Sequence, residues 1–447
     1  MMGVMKDWLE DRAGVGKALR ALLDESVPRS TGWRNTLGSV AGALILGQIV
    51  TGVLLMLFYV PHPDAAYASI EYIRESLRAG GLILALHYWG ASFIVVAIFA
   101  HMARVFFSGA YKKPRELTWL VGVGLFAVIM GFAFTGQLLP WNQAGYWAAK
   151  VGIEIASSAP FAGELIRQLI TGGETLGALT LTRFYTIHVI LLPLALGVLV
   201  PLHLYLLRRH GPIRPAHDTS TDTVPFYPWQ LARDLVMISV VFLGLIAVAV
   251  LFMGPRSGPV DLTDTSYIPR PEWFFLSHFE ILRITPGSLK IVATFILPNV
   301  LLVLLLALPW LDRAKTTALK DRRLIVSAGT MVIASIIGLT AFGLAREPAA
   351  ESTTPAEDGT YDMLQAGRVR FEEALCATCH RIDGEGQRVG PDLSNVGLRL
   401  KEEYMREWIT NPARFLPDTM MPPAKLDRRG LNELVAYLQS LQHVPEE

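Results

Sequence analysis

The sequence predicts an all-α membrane protein of seven transmembrane helices followed by a small all-α soluble domain. Three observations carry that prediction. Seven apolar stretches, approximately 37–59, 81–103, 117–139, 184–207, 235–253, 291–311 and 324–344, are each long enough for a bilayer crossing, which takes about 20 residues. Only 18% of the 447 residues are charged and 52% are hydrophobic; a soluble domain carries about 25% charged residues, so much of this surface does not face water. Beyond residue 360 the composition turns mixed and amphipathic, after a Pro-, Ala- and acid-rich stretch that reads as a linker. The formal net charge of +1 excludes a strongly basic nucleic-acid binder and an acidic solvating tail.

The elements follow in order. Residues 1–33 are charged and amphipathic, with no apolar core before Trp33, so no cleavable signal peptide is expected and the first span serves as the insertion signal. Spans one to four fall in a domain of 34–215 and spans five to seven in one of 216–345; the linker covers 346–360 and the soluble domain 361–447. The loops after spans two, four and six hold 13 Lys and Arg in 52 residues, and those after spans one, three and five hold 9 in 106. Basic loops stay in the cytoplasm. The N-terminal segment is therefore expected inside and the soluble domain outside the cytoplasm.

Spans two and four each carry two histidines: His87 and His101, His188 and His203. Ionisable residues inside a span are costly and usually functional. A spacing of 14 turns a helix by about 1400°, within ~40° of whole turns, so His87 and His101 share one face ~21 Å apart along the axis. A spacing of 15 leaves His188 and His203 ~60° apart on an ideal helix; Pro201 is the expected device that re-phases it. A lone transmembrane histidine as readily bonds a neighbouring helix or lines a proton path. Four in two opposed pairs suit two non-covalent b-type haems, each with two axial imidazoles. Gly38 and Gly52 in span one, and Gly122 and Gly136 in span three, repeat the 14-residue spacing. Small residues let a neighbour approach closely, here expected to be a porphyrin face at each level.

The only two cysteines, Cys376 and Cys379, stand in C-A-T-C-H with His380. This spacing is the attachment motif of a covalent c-type haem, with His380 as proximal ligand. A methionine sixth ligand raises the potential of such a haem. PDTMMPPAKL (417–426) resembles the methionine loop of small class I cytochromes c, and that resemblance implies Met421, just before Pro422, in this role ahead of Met420. Glu272, beside Trp273, Phe274 and Phe275, is an acid at an apolar membrane edge, where desolvation raises its pKa and poises it as a proton acceptor. A glutamate following Pro271 also suits a helix N-terminus, bonded to backbone N–H groups.

KKPRELTW (112–119), LPWNQAGYWA (139–148), LTRFYTIH (181–188) and PEWFF (271–275) together resemble the cytochrome b of quinol-oxidising cytochrome bc complexes. The likeness is closest to the split form of the cytochrome b6f branch, here with the four-helix cytochrome b and the three-helix subunit IV fused in one chain. The resemblance implies a quinol–cytochrome c oxidoreductase that translocates protons. His87 with His188 would bind the low-potential haem and His101 with His203 the high-potential one, with Arg104 and Arg183 as further haem-site residues. Quinol would be oxidised on the outer side by a pocket of Pro140, Trp141, Pro271, Glu272, Trp273 and Phe274. Quinone would be reduced on the inner side beside Arg233 and Asp234. One electron would cross through the b haems and the other would pass through a Rieske iron–sulfur protein to the chain's own c haem, then to a soluble cytochrome c or another acceptor. A Rieske cluster needs two Cys and two His; both cysteines here are used, so it belongs to a separate chain. The family also implies a homodimer. Three positions depart from the pattern: Thr36 replaces the cysteine that tethers an extra haem, Leu84 replaces an arginine, and Gln137 replaces the tyrosine before LPW. A di-haem anchor for a quinone-linked dehydrogenase, or a haem-bearing scaffold or sensor, fits the histidines but leaves the PEWF loop and three extra spans without a purpose.

Overall fold

The computed structural model describes residues 23–442 apart from 174, 215–217, 219, 262–269, 286, 347–359, 388 and 418, together with 8, 10–14 and 16. Most of the expected linker and much of the N-terminal segment lie outside the described residues. The chain divides into two compact units, 1–257 with 271–343 and 258–270 with 344–447.

Among the described residues seven helices are of membrane-crossing length: Leu37–Met56 (α1), Gly80–Ser108 (α2), Glu116–Leu138 (α3), Ala178–His210 (α4), Phe226–Leu251 (α5), Val292–Leu311 (α6) and Leu319–Ala345 (α7). Side chains such as Val198, Leu243, Val303 and Leu324 are exposed on their flanks, as lipid-facing surfaces require, and the chain is a multi-pass membrane protein. Three helices begin five or more residues earlier than the apolar windows: α4 at Ala178 instead of 184, α5 at Phe226 instead of 235 and α7 at Leu319 instead of 324. Hydropathy marks only the lipid-embedded stretch, whereas helical hydrogen bonding continues into polar first turns. Thr180 supports one such start, accepting from Gly177 N–H and donating to the Thr171 carbonyl.

The core of the first unit is a layer contributed by five helices: Val40, Ala41 and Leu44 of α1, Ile94 and Ala97 of α2, Ile129 of α3, Leu196 of α4 and Leu245 of α5. Ile94 lies seven residues from both His87 and His101, and Ile129 seven from both Gly122 and Gly136. The apolar layer therefore sits about 10 Å from either histidine level along the helices.

α4 corrects the expected role of Pro201. That residue lies within the helix, but the re-phasing device is a π turn over Ile187–Leu191, where Leu192 N–H bonds the Ile187 carbonyl five residues back. A π turn absorbs one extra residue, so a spacing of 15 acts as one of 14. Its cause is Pro193, which has no N–H to offer the usual i−4 carbonyl. α6 repeats the device, with a π turn over Val292–Ile296 directly before Leu297–Pro298.

Two short ladders qualify the all-α expectation. Ser26–Pro28 (β1) pairs antiparallel with Thr223–Pro225 (β2), tying the segment before α1 to the start of α5. In the second unit Arg381–Ile382 (β3) pairs with Glu385–Gly386 (β4). That unit is otherwise helical, with Thr360–Glu373 (α8), Glu402–Thr410 (α9) and Arg428–Ser440 (α10) around a core of Phe371, Val396, Met405, Ile409, Leu434, Val435 and Leu438. Gly367 lets α8 lie directly on α10: a Cβ there would stand 2.1 Å from the Glu433 carbonyl oxygen.

A buried ionic knot joins the loop after α2 to the loop after α6. Arg322 is fully buried and donates to Asp312 at 2.6 Å and to the carbonyls of Phe106 and Phe107. Tyr111 and Lys112 reach the same carboxylate at 2.6 and 2.8 Å. Burial alone would raise the pKa of Asp312, but the bonds from Lys112, Tyr111 and Arg322 outweigh it and hold the carboxyl at about 2. A depressed carboxyl pKa contributes stability above the unfolded value and loses it as pH falls through the folded one. The contribution of Asp312 should therefore be complete above the ordinary value of 3.8 and fade between there and about 2. Asp312→Ala, which leaves Arg322 buried without its counter-ion, should cost about 3–5 kcal/mol. Thermal unfolding in detergent, followed by circular dichroism, should show a lower melting temperature for the variant at neutral pH and a narrowing difference on acidification.

Candidate functional site

The four membrane histidines come together as two pairs, one near the start of α2 and α4 and the other two turns beyond the apolar layer. The ring centroids of His87 and His188 are 6.4 Å apart and those of His101 and His203 are 6.5 Å apart. An imidazole nitrogen lies about 1.1 Å from its ring centroid and a metal–nitrogen bond is about 2.0–2.1 Å, so a metal held between two facing imidazoles sets the centroids about 6.3 Å apart. Both pairs fit that spacing. Among the described residues no group of three or more His, Cys, Asp or Glu is arranged to hold a bare ion. Two-imidazole sites of this kind suit a metal that brings its own equatorial ligands, as haem iron does.

Each of the four glycines faces one imidazole of its own level. A Cβ would stand 3.2 Å from His87 Cε1 at Gly52, 2.8 Å from His188 at Gly136, 3.3 Å from His101 at Gly38 and 3.3 Å from His203 at Gly122. The nearest neighbour at each glycine is thus a histidine edge. The rings at the first level are also bonded: Thr51 Oγ1 lies 2.9 Å from His87 Nδ1 and Thr135 Oγ1 lies 2.9 Å from His188 Nδ1. Sequence reasoning missed these threonines. The signal was present as a Thr-Gly dipeptide at 51–52 and again at 135–136.

The PEWF loop docks on α2 beside His87. Tyr88 Oη lies 3.3 Å from both carboxylate oxygens of Glu272, and Trp273 Nε1 donates to Ser92 Oγ at 3.0 Å. Tyr88 and Ser92 are four apart and so share one helix face. Glu272 is the residue before a 3₁₀ turn over Trp273–Phe275 but makes no capping bond with its side chain, so the helix-terminus alternative is not what the carboxylate does. Burial raises its pKa above the ordinary glutamate value, with the Tyr88 hydroxyl opposing. Phe274 packs edge-on between Trp273 and Phe275, and Pro271 opens the turn.

Trp141 is buried with φ +46°, its ring edge-on to Tyr146 at 5.6 Å. The preceding turn is held by Tyr59 Oη donating to the Leu139 carbonyl at 2.6 Å; burial pushes the Tyr59 pKa up, so it remains a donor. Pro140 sits between these two anchors. Gln137, where the pattern has tyrosine, buries its Oε1 without a hydrogen-bond partner. No direct bond joins Trp141 to Glu272 among the described residues.

Arg233 and Asp234 point apart. Arg233 stacks over Trp229 at 4.2 Å and donates to the Trp229 carbonyl. Asp234 is buried and accepts from Ser39 Oγ and Gln230 Nε2, both at 2.9 Å. Ser39 adjoins Gly38, which places Asp234 close to the His101 level. Arg104, one turn after His101, makes no hydrogen bond or ion pair among the described residues. Arg183 is engaged elsewhere: its Nη1 donates to the carbonyls of Gln168 and Leu169 at 2.7 and 2.6 Å.

In the second unit one 3₁₀ turn begins at Cys376 and is closed by Cys379. Burial raises the Cys376 pKa. His380 Nδ1 bonds the Pro391 carbonyl at 2.9 Å, which leaves Nε2 for a metal. Gly390 lies against that ring, where a Cβ would be 2.7 Å from Cε1. Met421 Sδ accepts from Trp408 Nε1 at 3.2 Å, whereas Met420 is 85% exposed, so Met421 is the methionine held against the fold.

Three family models match: "Cytochrome b(N-terminal)/b6/petB" over residues 92–259, "Cytochrome b(C-terminal)/b6/petD" over 259–356 and "Cytochrome c" over 364–442. Cytochrome b of Rickettsia prowazekii is 36% identical over 322 residues, covering 69% of this chain and 79% of that protein. Cytochrome b/c1 of Bradyrhizobium diazoefficiens is 34% identical over 332 residues, 71% of this chain and 47% of that one. A solved structure described as a hyperthermophilic respiratory Complex III superposes with a TM-score of 0.69 at 29% identity, covering 76% of this chain and 91% of that one.

Gly136 offers the sharpest test of the paired-imidazole geometry. Gly136→Val should displace His188 and remove one b-type haem equivalent, measured by pyridine haemochrome. Gly42→Val, on the same bundle with nothing within 4 Å of its Cβ position, should leave both.

Proposed function

The chain belongs to the cytochrome b family, and from that premise we propose that it is the fused cytochrome b and cytochrome c subunit of a quinol–cytochrome c oxidoreductase in a bacterial inner membrane. The observation that carries the reading is the pair of imidazole gaps of 6.4 and 6.5 Å, on a chain that also bears C-A-T-C-H. When bound, two b-type haems and one c-type haem supply one-electron carriers. His87 with His188 and His101 with His203 hold the first two. Cys376, Cys379, His380 and Met421 hold the third. Arg104 is free to meet a haem propionate near the His101 level. The unequal Lys and Arg counts of the loops put the His87 level on the outer side and the soluble domain with it.

The outer quinol site is built around Glu272, with Pro140, Trp141 and the PEWF aromatics forming its apolar walls. Tyr88 and Ser92 keep the loop on the helix that carries His87, so the proton acceptor stays beside the electron acceptor. The raised pKa of Glu272 places it nearer the working range of a general base. Quinone is reduced on the inner side, where Asp234 is the buried acid and Arg233 the cation at the surface. The Rieske partner lies outside these 447 residues, because both cysteines serve the c motif. A homodimer, and a soluble cytochrome c or another acceptor beyond the c domain, complete the proposed complex.

Three experiments test this. The purified complex should reduce its b- and c-type absorbance on addition of quinol, and reduction of the c haem should require the Rieske protein. Full-speed c reduction without that protein would overturn the routing. Met421→Ala should lower the c-haem potential and slow electron exit while leaving the b-haem content intact. Glu272→Gln should slow quinol oxidation by about 10²-fold with haem content unchanged. The sign of its pH dependence follows from the raised pKa: the carboxyl is protonated at low pH and becomes a base only as pH rises through that value. Stopped-flow reduction of the b haems should therefore show a limb rising with pH in the parent protein that is absent from the variant.

A further inference from the structure

The two histidine levels differ in one respect that the ligand set alone does not explain. At the His87 level both imidazoles meet a threonine hydroxyl at 2.9 Å. At the His101 level the positions before the two glycines are Leu37 and Val121, which offer none. His203 Nδ1 is buried and bonds no hydroxyl; the Thr118 carbonyl is the polar group beside it.

The direction of the threonine bonds follows from counting protons. A hydroxyl has one hydrogen. Thr51 Oγ1 donates it to the Gly47 carbonyl at 2.9 Å, and Thr135 Oγ1 donates its own to the Gly131 carbonyl at 2.8 Å. Each oxygen then faces an imidazole with lone pairs only. With each hydroxyl hydrogen on its helix carbonyl, His87 and His188 carry their proton on Nδ1 and present a bare Nε2 to the gap between them. A hydrogen bond donated from the far nitrogen fixes the tautomer and ring orientation and makes the ligating nitrogen more basic. A more basic ligand favours the more oxidised metal.

We infer that Thr51 and Thr135 are positioning residues which hold the two imidazoles of the His87 level in one tautomer and make the haem there harder to reduce than the haem at the His101 level. This rests on the proposed haem sites. No hydroxyl takes that place at the second level, where Leu37 and Val121 precede the glycines. The Thr-Gly dipeptide then has a double use at each site, with glycine admitting the ring and threonine polarising it.

The test is a spectroscopic redox titration of the b haems in the purified full-length protein, with Thr51→Val, Thr135→Val and the corresponding serine variants. The component that His87→Ala removes identifies the His87 level. A hydrogen bond contributes about 0.5–1.5 kcal/mol, so each valine should shift the electron-sharing equilibrium between the two b haems roughly three- to tenfold toward the His87 level, a tenfold change being 59 mV for one electron. The serine variants should titrate like the parent and the other component should not move. A valine variant that loses the first haem, while its serine counterpart keeps it at the parent potential, also supports the role of the hydroxyl. Unshifted potentials with both haems retained would overturn the inference. So would serine variants that shift or lose haem as much as valine, because packing rather than the hydroxyl would then be responsible. Failure of the haem reading is visible separately, as a parent protein with fewer than two b haems by pyridine haemochrome.

Discussion

An imidazole in hydrocarbon needs a partner for its nitrogens, and four of them need four. That requirement organises the bundle. It sets a 14-residue interval on α2, which α4 meets over 15 residues through its π turn. It sets the same interval on the glycines of α1 and α3, since each must leave room for an imidazole edge. The helices carrying ligands and those carrying glycines then have little freedom to slide, because a shift of one turn would put a side chain where a ring must stand. The buried layer around Leu44, Ile94, Ile129 and Leu196 fills the remaining space between levels.

The sequence made the seven spans legible because lipid demands long apolar runs, and it made the histidine and glycine levels legible because 14 residues nearly complete whole helical turns. It also led to the C-A-T-C-H tail and the PEWF loop, whose local spacing carries chemistry. What it left hidden depended on partners distant in the chain. The re-phasing of α4 falls at its π turn and not at Pro201, because the effect of Pro193 shows only in the backbone bonding five residues back. The threonine bonds were missed because a hydroxyl beside a glycine looks like ordinary helix filling until the opposing ring is placed. Tyr88 meets Glu272 across 184 residues and Asp312 meets Tyr111 across 201, separations at which no spacing rule operates. The short β1–β2 ladder has no alternating apolar pattern to announce it.

The basic KKPRELTW stretch illustrates how a surface signal can conceal a structural one. Read along the chain, Lys112 contributes to the loop charge that orients the protein. In the fold its ammonium group is drawn into the knot around Asp312, where it also donates to the carbonyls of Asp312 and Ala314 at 2.8 Å. Arg115 likewise bonds the carbonyls of His210 and Gly211 at the end of α4. The same cations thus count toward the loop charge and, by their reach, tie these loops to each other.

The apolar layer between the histidine levels has an electrical consequence. The levels are ~21 Å apart along helices that cross a hydrocarbon slab of ~30 Å, so they bracket roughly two thirds of the membrane's insulating thickness. A charge moved through the whole field meets ~2.3 kcal/mol per 100 mV. A charge moved from one level to the other therefore meets ~1.6 kcal/mol, enough to change its distribution between them by about tenfold. Ile94 and Ile129, placed midway between the levels, help make the bundle a capacitor whose plates are the two pairs of rings.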